Sequence, residues 1–210
     1  VWKRGKQLFT KGLVKGDVTY SKGLMSMGAD EFREWDPNKS KPAAAIMRGI
    51  REFPLEAGSK VLYLGAASGA TASFFSDIVG SGGVIYAIEV SERSVRDLNI
   101  TSEKRGNIIP ILADARKPEE YGWIEPVDVV YEDVASDDQI PIIIRNASRF
   151  LKKGGYAVIA IKARSIDVTK DPKKVFREEL VKLERSFKVI DKVELEPYEL
   201  DHMFVVMRTK

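Results

Sequence analysis

Three ionisable residues far apart in the chain, Lys41, Asp133 and Lys162, form a set that can take a proton from a hydroxyl. Asp133 follows an apolar run in Tyr131-Glu132-Asp133-Val134-Ala135-Ser136, and Lys162 closes another in Ala160-Ile161-Lys162-Ala163. A lysine that ends an apolar strand points into a crevice rather than out to bulk water. Two ammonium groups near one site repel, and partial burial also disfavours charge. A lysine in that setting can accept a proton from a ribose hydroxyl while an aspartate holds it in place. The trio suits a plainer role as well, two phosphate-contacting lysines beside a structural aspartate. Lys41 on its own reads as a solvated surface lysine at a helix entrance. His202, in Tyr198-Glu199-Leu200-Asp201-His202-Met203, is the one histidine. A lone histidine is more often structural than catalytic, although this one can also lie at the mouth of the crevice.

A second set suits an adenosine-type ligand. Glu89 ends a strand 24 positions after Gly65, where an acid can accept hydrogen bonds from both ribose hydroxyls. Asp114 ends the next strand and can accept from an adenine amino group, with Ala115 leaving room for the ring. The alternatives are a solvated strand-end acid for Glu89 and an Asx turn or helix cap for Asp114.

Both sets need a scaffold, and it is organised around Lys60 to Thr71. Val61 to Leu64 is a short run of strand formers. Gly65, Ala66, Ala67, Ser68, Gly69, Ala70 and Thr71 then make a glycine-containing turn into a helix. A strand, a small-residue turn and a helix start set backbone N–H groups beside the C-terminal end of a strand, where open α/β sheets bind nucleotide-like ligands. The spacing is not Gly-x-Gly-x-x-Gly, so it suits a ligand without a pyrophosphate, such as an adenosine-type methyl donor. An ordinary βα turn is the alternative.

From Val61 onward strands and helices alternate. Strands are expected over 61–64, 84–90, 108–112, 127–132 and 156–161, and helices over 71–79, 92–105, 117–123 and 139–151. A helix over 173–187 and two last strands over 188–195 and 202–208 follow. The pattern implies an α/β fold, a mostly parallel Rossmann-like sheet covered on both faces and ending in an antiparallel hairpin. Residues 1–36 read differently, as short β-prone pieces over 7–10, 17–20, 23–27 and 31–35 separated by glycines. They imply a small N-terminal antiparallel β subdomain packed on a larger domain over 37–210. Between the two, Pro42 suits the first turn of a helix running through 43–50, with Ser40 or Asn38 as its cap.

Composition narrows the chemistry. The 210 residues are 44% hydrophobic, carry a formal net charge of +3 and include no cysteine. A full core is available, while disulfides, thiolate metal sites and cysteine nucleophiles are excluded. One histidine disfavours a multi-histidine metal site, so no metal is expected. No stretch is long enough for a membrane span and no signal peptide is visible, so a cytoplasmic location is expected. The mild basicity suits RNA without demanding it. Arg164, Lys170, Lys173 and Lys174 flank the loop after the strand ending at Lys162 and can form an RNA-facing rim, or simply a solvated face.

Taken together, the ordered motifs resemble the fibrillarin family, and most closely its shorter archaeal members. They are Val61-Leu62-Tyr63-Leu64-Gly65-Ala66-Ala67-Ser68-Gly69, Val84-Ile85-Tyr86-Ala87-Ile88-Glu89, Asp114-Ala115-Arg116, Asp133-Val134-Ala135, Asp137-Asp138-Gln139, Ile161-Lys162-Ala163 and Leu195-Glu196-Pro197-Tyr198-Glu199 with Asp201-His202. The resemblance implies an S-adenosylmethionine-dependent 2′-O-methyltransferase, directed to rRNA and tRNA by C/D box guide RNA. It further implies a ribonucleoprotein with a Nop-domain scaffold protein and a kink-turn-binding protein. Carried over, the donor site maps onto the turn, Ala70, Thr71, Glu89, Val90, Asp114, Ala115, Asp133, Val134, Ala135 and Ser136, with Gln139 near. The catalytic set maps onto Lys41, Asp133 and Lys162, with His202 sometimes added. The chain departs from the family's common residue at Ala70 (threonine), Val90 (an aromatic) and Ser136 (glutamine). Rival readings are a protein-glutamine methyltransferase, a non-catalytic assembly factor and a nicotinamide dehydrogenase, the last disfavoured by the missing third glycine.

Overall fold

A computed structural model describes residues 1–210 as two sheets with helices packed on them. The first sheet holds β1 (Trp2–Arg4), β2 (Gln7–Lys11), β3 (Leu24–Met27) and β4 (Asp30–Glu34), antiparallel throughout in the order β1-β2-β4-β3. The strand expected over 17–20 is absent. That segment is a turn in which Tyr20 takes φ +61°, and Asp17 is buried against Arg105 rather than paired in the sheet. A long-range ion pair overrides the local β propensity of Val18 and Thr19. Conversely β1 forms from three exposed residues, which carry no alternation to announce it.

Helix α1 (Lys41–Met47) opens behind Ser40, with Pro42 in its first turn where a missing N–H costs nothing. It stops short of Ile50 because Gly49 turns left-handed at φ +91°. The second sheet and its helices follow: β5 (Lys60–Leu64), α2 (Ala70–Val79), β6 (Val84–Glu89), α3 (Glu92–Arg105), β7 (Ile108–Leu112), β8 (Val127–Glu132), α4 (Gln139–Phe150), β9 (Leu151–Lys162), α5 (Ala163–Ile166), α6 (Pro172–Ser186), β10 (Phe187–Glu194) and β11 (His202–Thr209). The helix expected over 117–123 is only a 3₁₀ turn, Pro118–Tyr121, which stops at Gly122 with the buried Tyr121 hydroxyl donating to Asn146 of α4 at 2.7 Å. Strand β9 begins five residues before its expected start at Tyr156, because Leu151 pairs with Val127 ahead of a register shift. Lys152, Lys153, Gly154 and Gly155 in that extension carry no apolar signal.

The strand order is β10-β11-β9-β8-β5-β6-β7. β5 is parallel to both β6 and β8, and β11 runs antiparallel between β9 and β10. This is the Rossmann-like sheet with a terminal hairpin. Side chains alternate between its faces. Leu62, Leu64 and Val130 join a core covered by α4 and α6. Val61, Tyr63 and Tyr131 join a second core covered by α1, α2 and α3. Chain order reverses across the β8–β5 boundary, so a crevice opens at the C-terminal edge there.

The N-terminal sheet is fastened to that second core. Leu8 and Trp35 are buried in it, and the Trp35 indole stacks on Phe74 of α2 with centroids 5.2 Å apart. Behind them lies a buried ion network. Asp77 of α2 receives Arg33 Nη1 at 2.6 Å and Arg105 Nη1 at 2.7 Å. Thr10 Oγ1 donates to the same carboxylate at 2.7 Å and the Leu13 N–H at 3.0 Å.

Candidate active site

A cleft of about 370 Å³ runs along the C-terminal edge of β9, β8, β5, β6 and β7. Of the residues singled out in the sequence, Gly65, Ala67, Glu89, Val90, Asp114, Ala115, Asp133, Val134, Ala135, Ser136 and Lys162 line it. Ala66 is buried in the core beneath it. Ser68 and Gly69 turn the chain into α2, and the Ser68 carbonyl accepts from the Tyr20 hydroxyl at 2.8 Å. Ala70 faces a smaller hollow of about 130 Å³ shared with Tyr20, Trp35 and Ser40. Thr71 is buried, its hydroxyl 2.9 Å from that of Ser40. Gln139 is buried and braces the rim: its Nε2 donates to the Ser136 carbonyl at 2.6 Å, and its Oε1 accepts the Lys162 N–H at 3.1 Å.

The floor needs glycine at position 65. Gly65 has φ +80°, and a Cβ there would sit 3.1 Å from the Asp133 carbonyl carbon and oxygen. The two strand ends thus approach closely enough to leave the cleft open above them. Glu89 is held by the turn: Oε2 accepts the Ala67 N–H at 2.8 Å and Oε1 the Ser91 N–H at 2.8 Å. Each oxygen keeps a second lone pair, so the carboxylate is preset to accept two hydroxyls. At the far end Asp114 Oδ1 accepts the Arg116 N–H at 2.9 Å, which leaves Oδ2 for another donor beside the small, buried Ala115. A vicinal diol at Glu89 and an amino-bearing ring at Asp114 fit these residues, which is the chemistry of an adenosine.

At the opposite end the three charged residues converge. Lys162 Nζ donates to the Asp133 carbonyl at 2.7 Å and lies 2.9 Å from Asp133 Oδ1. Lys41 Nζ reaches Asp133 Oδ2 at 3.3 Å and Oδ1 at 3.2 Å. Oδ1 has charge contact with both ammonium groups but an aligned hydrogen bond from neither. All three side chains are mostly buried, 16%, 12% and 14% exposed for Lys41, Asp133 and Lys162. His202 is the cross-strand partner of Lys162. Its Nδ1 lies 2.6 Å from the Leu200 carbonyl. A carbonyl only accepts, so Nδ1 carries the proton and Nε2 presents a lone pair. Burial, and then the charges of Lys41 and Lys162, push the imidazole below its ordinary value against the opposing pull of Leu200 and Glu199. The ring is therefore neutral at neutral pH.

The expected basic rim is only partly free. Arg164 Nε donates to Asp201 at 2.9 Å and Lys170 Nζ reaches Glu178 at 2.9 Å, whereas Lys173 and Lys174 are exposed at the start of α6. Sequence reasoning missed the roles of Tyr20 and Ser40, which reach the α2 entrance from outside the Rossmann-like sheet, and of Glu132. The last is fully buried with both carboxylate oxygens unpartnered. The one sequence signal for it was an acid directly following the apolar run Val129-Val130-Tyr131.

The profile of the family described as Fibrillarin matches residues 1–210. A Methanocaldococcus jannaschii protein named fibrillarin-like rRNA/tRNA 2′-O-methyltransferase is 52% identical over 203 residues, 96% of this chain and 88% of that protein. Among solved structures, Aeropyrum pernix fibrillarin in complex with natively bound S-adenosyl-L-methionine matches with a TM-score of 0.89 at 44% identity, covering 96% of this chain and 88% of that one. A chain of a fibrillarin/Nop5p complex matches with a TM-score of 0.91 at 41% identity, covering 100% of this chain and 97% of that one.

Proposed function

This chain belongs to the fibrillarin family, and on that premise we propose that it is an S-adenosylmethionine-dependent RNA ribose 2′-O-methyltransferase. Glu89 takes the donor's ribose hydroxyls and Asp114 its adenine amino group. The bound donor supplies a methyl group made electrophilic by its sulfonium. What remains is positioning, exclusion of water and removal of the hydroxyl proton.

As its free amine, Lys162 would take that proton while the 2′-oxygen bonds the methyl carbon and the carbon–sulfur bond breaks, its electron pair returning to sulfur. Asp133 orients Lys162 through its carbonyl and its carboxylate, and Lys41 holds the other side of the carboxylate. With all three ionised the trio carries one net positive charge. Before the transfer Lys41 and Asp133 form a neutral pair beside the free amine of Lys162, and taking the proton restores the fully ionised trio. Neutral His202 adds an acceptor at the same mouth without adding charge. The observation that carries this reading is the convergence of two lysines on one aspartate at the cleft's edge.

The names of the relatives extend the reading to rRNA and tRNA as substrates and to a Nop-domain scaffold as partner. Guidance by C/D box RNA and a kink-turn-binding protein complete the assembly. The test is transfer of a labelled methyl group to guide-paired RNA with both partner proteins present, beside a target lacking the 2′-hydroxyl. Label is expected on the ribose and absent from the deoxy target. Lys162→Arg is expected to cut turnover by about 10²–10⁴-fold with donor binding retained, since a guanidinium keeps its proton. Label on protein, or persisting on the deoxy target, would overturn the reading.

A further inference from the structure

The loops after β7 and β8 border the adenine end of the cleft, yet no sheet hydrogen bond joins them, because β5 and β6 lie between their strands. One side chain spans the gap. Arg116, in the loop after β7, donates from Nε to Asp138 Oδ2 at 2.8 Å and from Nη2 to Asp138 Oδ1 at 3.0 Å. Such a two-pronged guanidinium–carboxylate pair fixes direction as well as distance. Nη2 also donates to Ser136 Oγ at 2.6 Å, and the Ser136 hydroxyl bonds Asp138 in turn.

Two further features show that the arrangement is built. Asp138 is the N-cap of α4, where an aspartate ordinarily accepts from the first free N–H groups. Its side chain makes no such bond and turns to Arg116 instead. The Arg116 main chain is pinned from both sides, its N–H by Asp114 Oδ1 and its carbonyl by Arg145 of α4. Burial pushes the Asp138 carboxyl up, but hydrogen bonds from Arg116 and Ser136 outweigh it and hold the group below its usual range. Arg116 and Ser136 both line the cleft. The short Ser136 hydroxyl joins guanidinium and carboxylate at once.

We propose that Arg116, Asp138 and Ser136 form a clasp over the adenine end of the cleft, with Arg116 a positioning residue that retains the adenosine portion of the methyl donor. The inference rests on the cleft being the donor site. The ion pair is about half exposed, 46% and 35% for its two side chains. A pair so exposed adds little to folding, and it is free to open as donor enters and leaves. Its grip should weaken with salt.

The test compares wild type, Arg116→Ala, Asp138→Asn and the double variant by calorimetric binding of S-adenosylmethionine, stopped-flow dissociation at low and high salt, and thermal melting. Each single variant is expected to bind donor about 5–10-fold more weakly through faster dissociation, with an unchanged melting temperature. The double variant should be no worse than either single, because both remove one interaction, and the salt dependence of dissociation should vanish with it. Wild-type affinity in the single variants, additive losses in the double, or a melting temperature that falls along with affinity would overturn the clasp. Wild-type protein that binds no donor would overturn the donor-site reading itself, a different outcome from a variant series that binds donor uniformly.

Discussion

Glu132 ends β8 with no accessible surface, and neither of its carboxylate oxygens has a hydrogen-bond partner. Burial raises this carboxyl well above its ordinary value, Asp138 and Asp133 push it the same way, and Lys162 opposes them. An ionised carboxylate in such a place would carry a large desolvation cost, so the folded protein holds the neutral acid. Its folded-state value lies above the unfolded value of about 4.3. The stabilising contribution is therefore complete below that unfolded value and is lost as pH rises through the folded one. Glu132→Gln keeps the shape and removes the ionisation. Its melting temperature is expected to match wild type near pH 4 and to exceed it by a margin that widens toward pH 8. Melting curves across that range check this, and parallel curves for the two proteins would refute it. Neutrality here also keeps a second carboxylate from competing with Asp133 for Lys162.

At the scale of elements, the β5–α2 turn is where backbone conformation and site geometry meet. Gly65 and Gly69 both take positive φ, +80° and +90°, as the sharp exit from a strand into a helix requires. At Gly65 the added atom would sit 3.1 Å from backbone of the β8 exit, which would have to give by a few tenths of an ångström, while at Gly69 it would come within 2.8 Å of the Leu98 side chain. Gly65→Ala is expected to cost about 1–3 kcal/mol from the left-handed conformation alone. It should also weaken donor binding at least tenfold by moving Asp133 away from β5. Chemical denaturation and donor titration read the two effects separately, and intact affinity would show that the β8 exit yields. The turn is steadied from outside as well, since Tyr20 and Thr101 both donate to the Ser68 carbonyl.

At the scale of the molecule, the two sheets are joined by charges that see no water. Arg33 and Arg105 side chains are 0% exposed, as is Asp77 between them. Deleting one partner strands the others unpaired, so Asp77→Ala is expected to lose about 3–5 kcal/mol of stability, measured by denaturant unfolding. A loss under 1 kcal/mol would mean that water or rearrangement replaces the carboxylate. Asp17 closes the network on Arg105 at 2.6 Å. Burial raises its carboxyl, but hydrogen bonds from Thr19 and Arg105 outweigh this and lower it to about 2. That lies below the unfolded value of about 3.9, so its contribution is present at neutral pH and is lost as pH falls from about 4 toward 2.

The order of elements, the Rossmann-like sheet and the cleft-lining residues Gly65, Glu89 and Asp114 were legible in the sequence. Strand and helix periodicity, turn chemistry and strand-end acids are local properties, written in residues that neighbour one another. The short 3₁₀ turn and the early start of β9 were not legible, because contacts with distant segments decided them, Tyr121 with Asn146 and Leu151 with Val127. What the tertiary structure alone decided is which charges meet. Beyond the expected set of Lys41, Asp133 and Lys162, Arg33 and Asp77 stand 44 positions apart, and Arg116 and Asp138 stand 22 apart. No spacing in the chain marks any of them as partners. Burial of Glu132 belongs with them, since β8 carries an acid in sequence and only the sheet and α4 closing over it make that acid neutral. Ionisable side chains take their chemistry from whatever surrounds them, and those surroundings exist only once distant segments have packed.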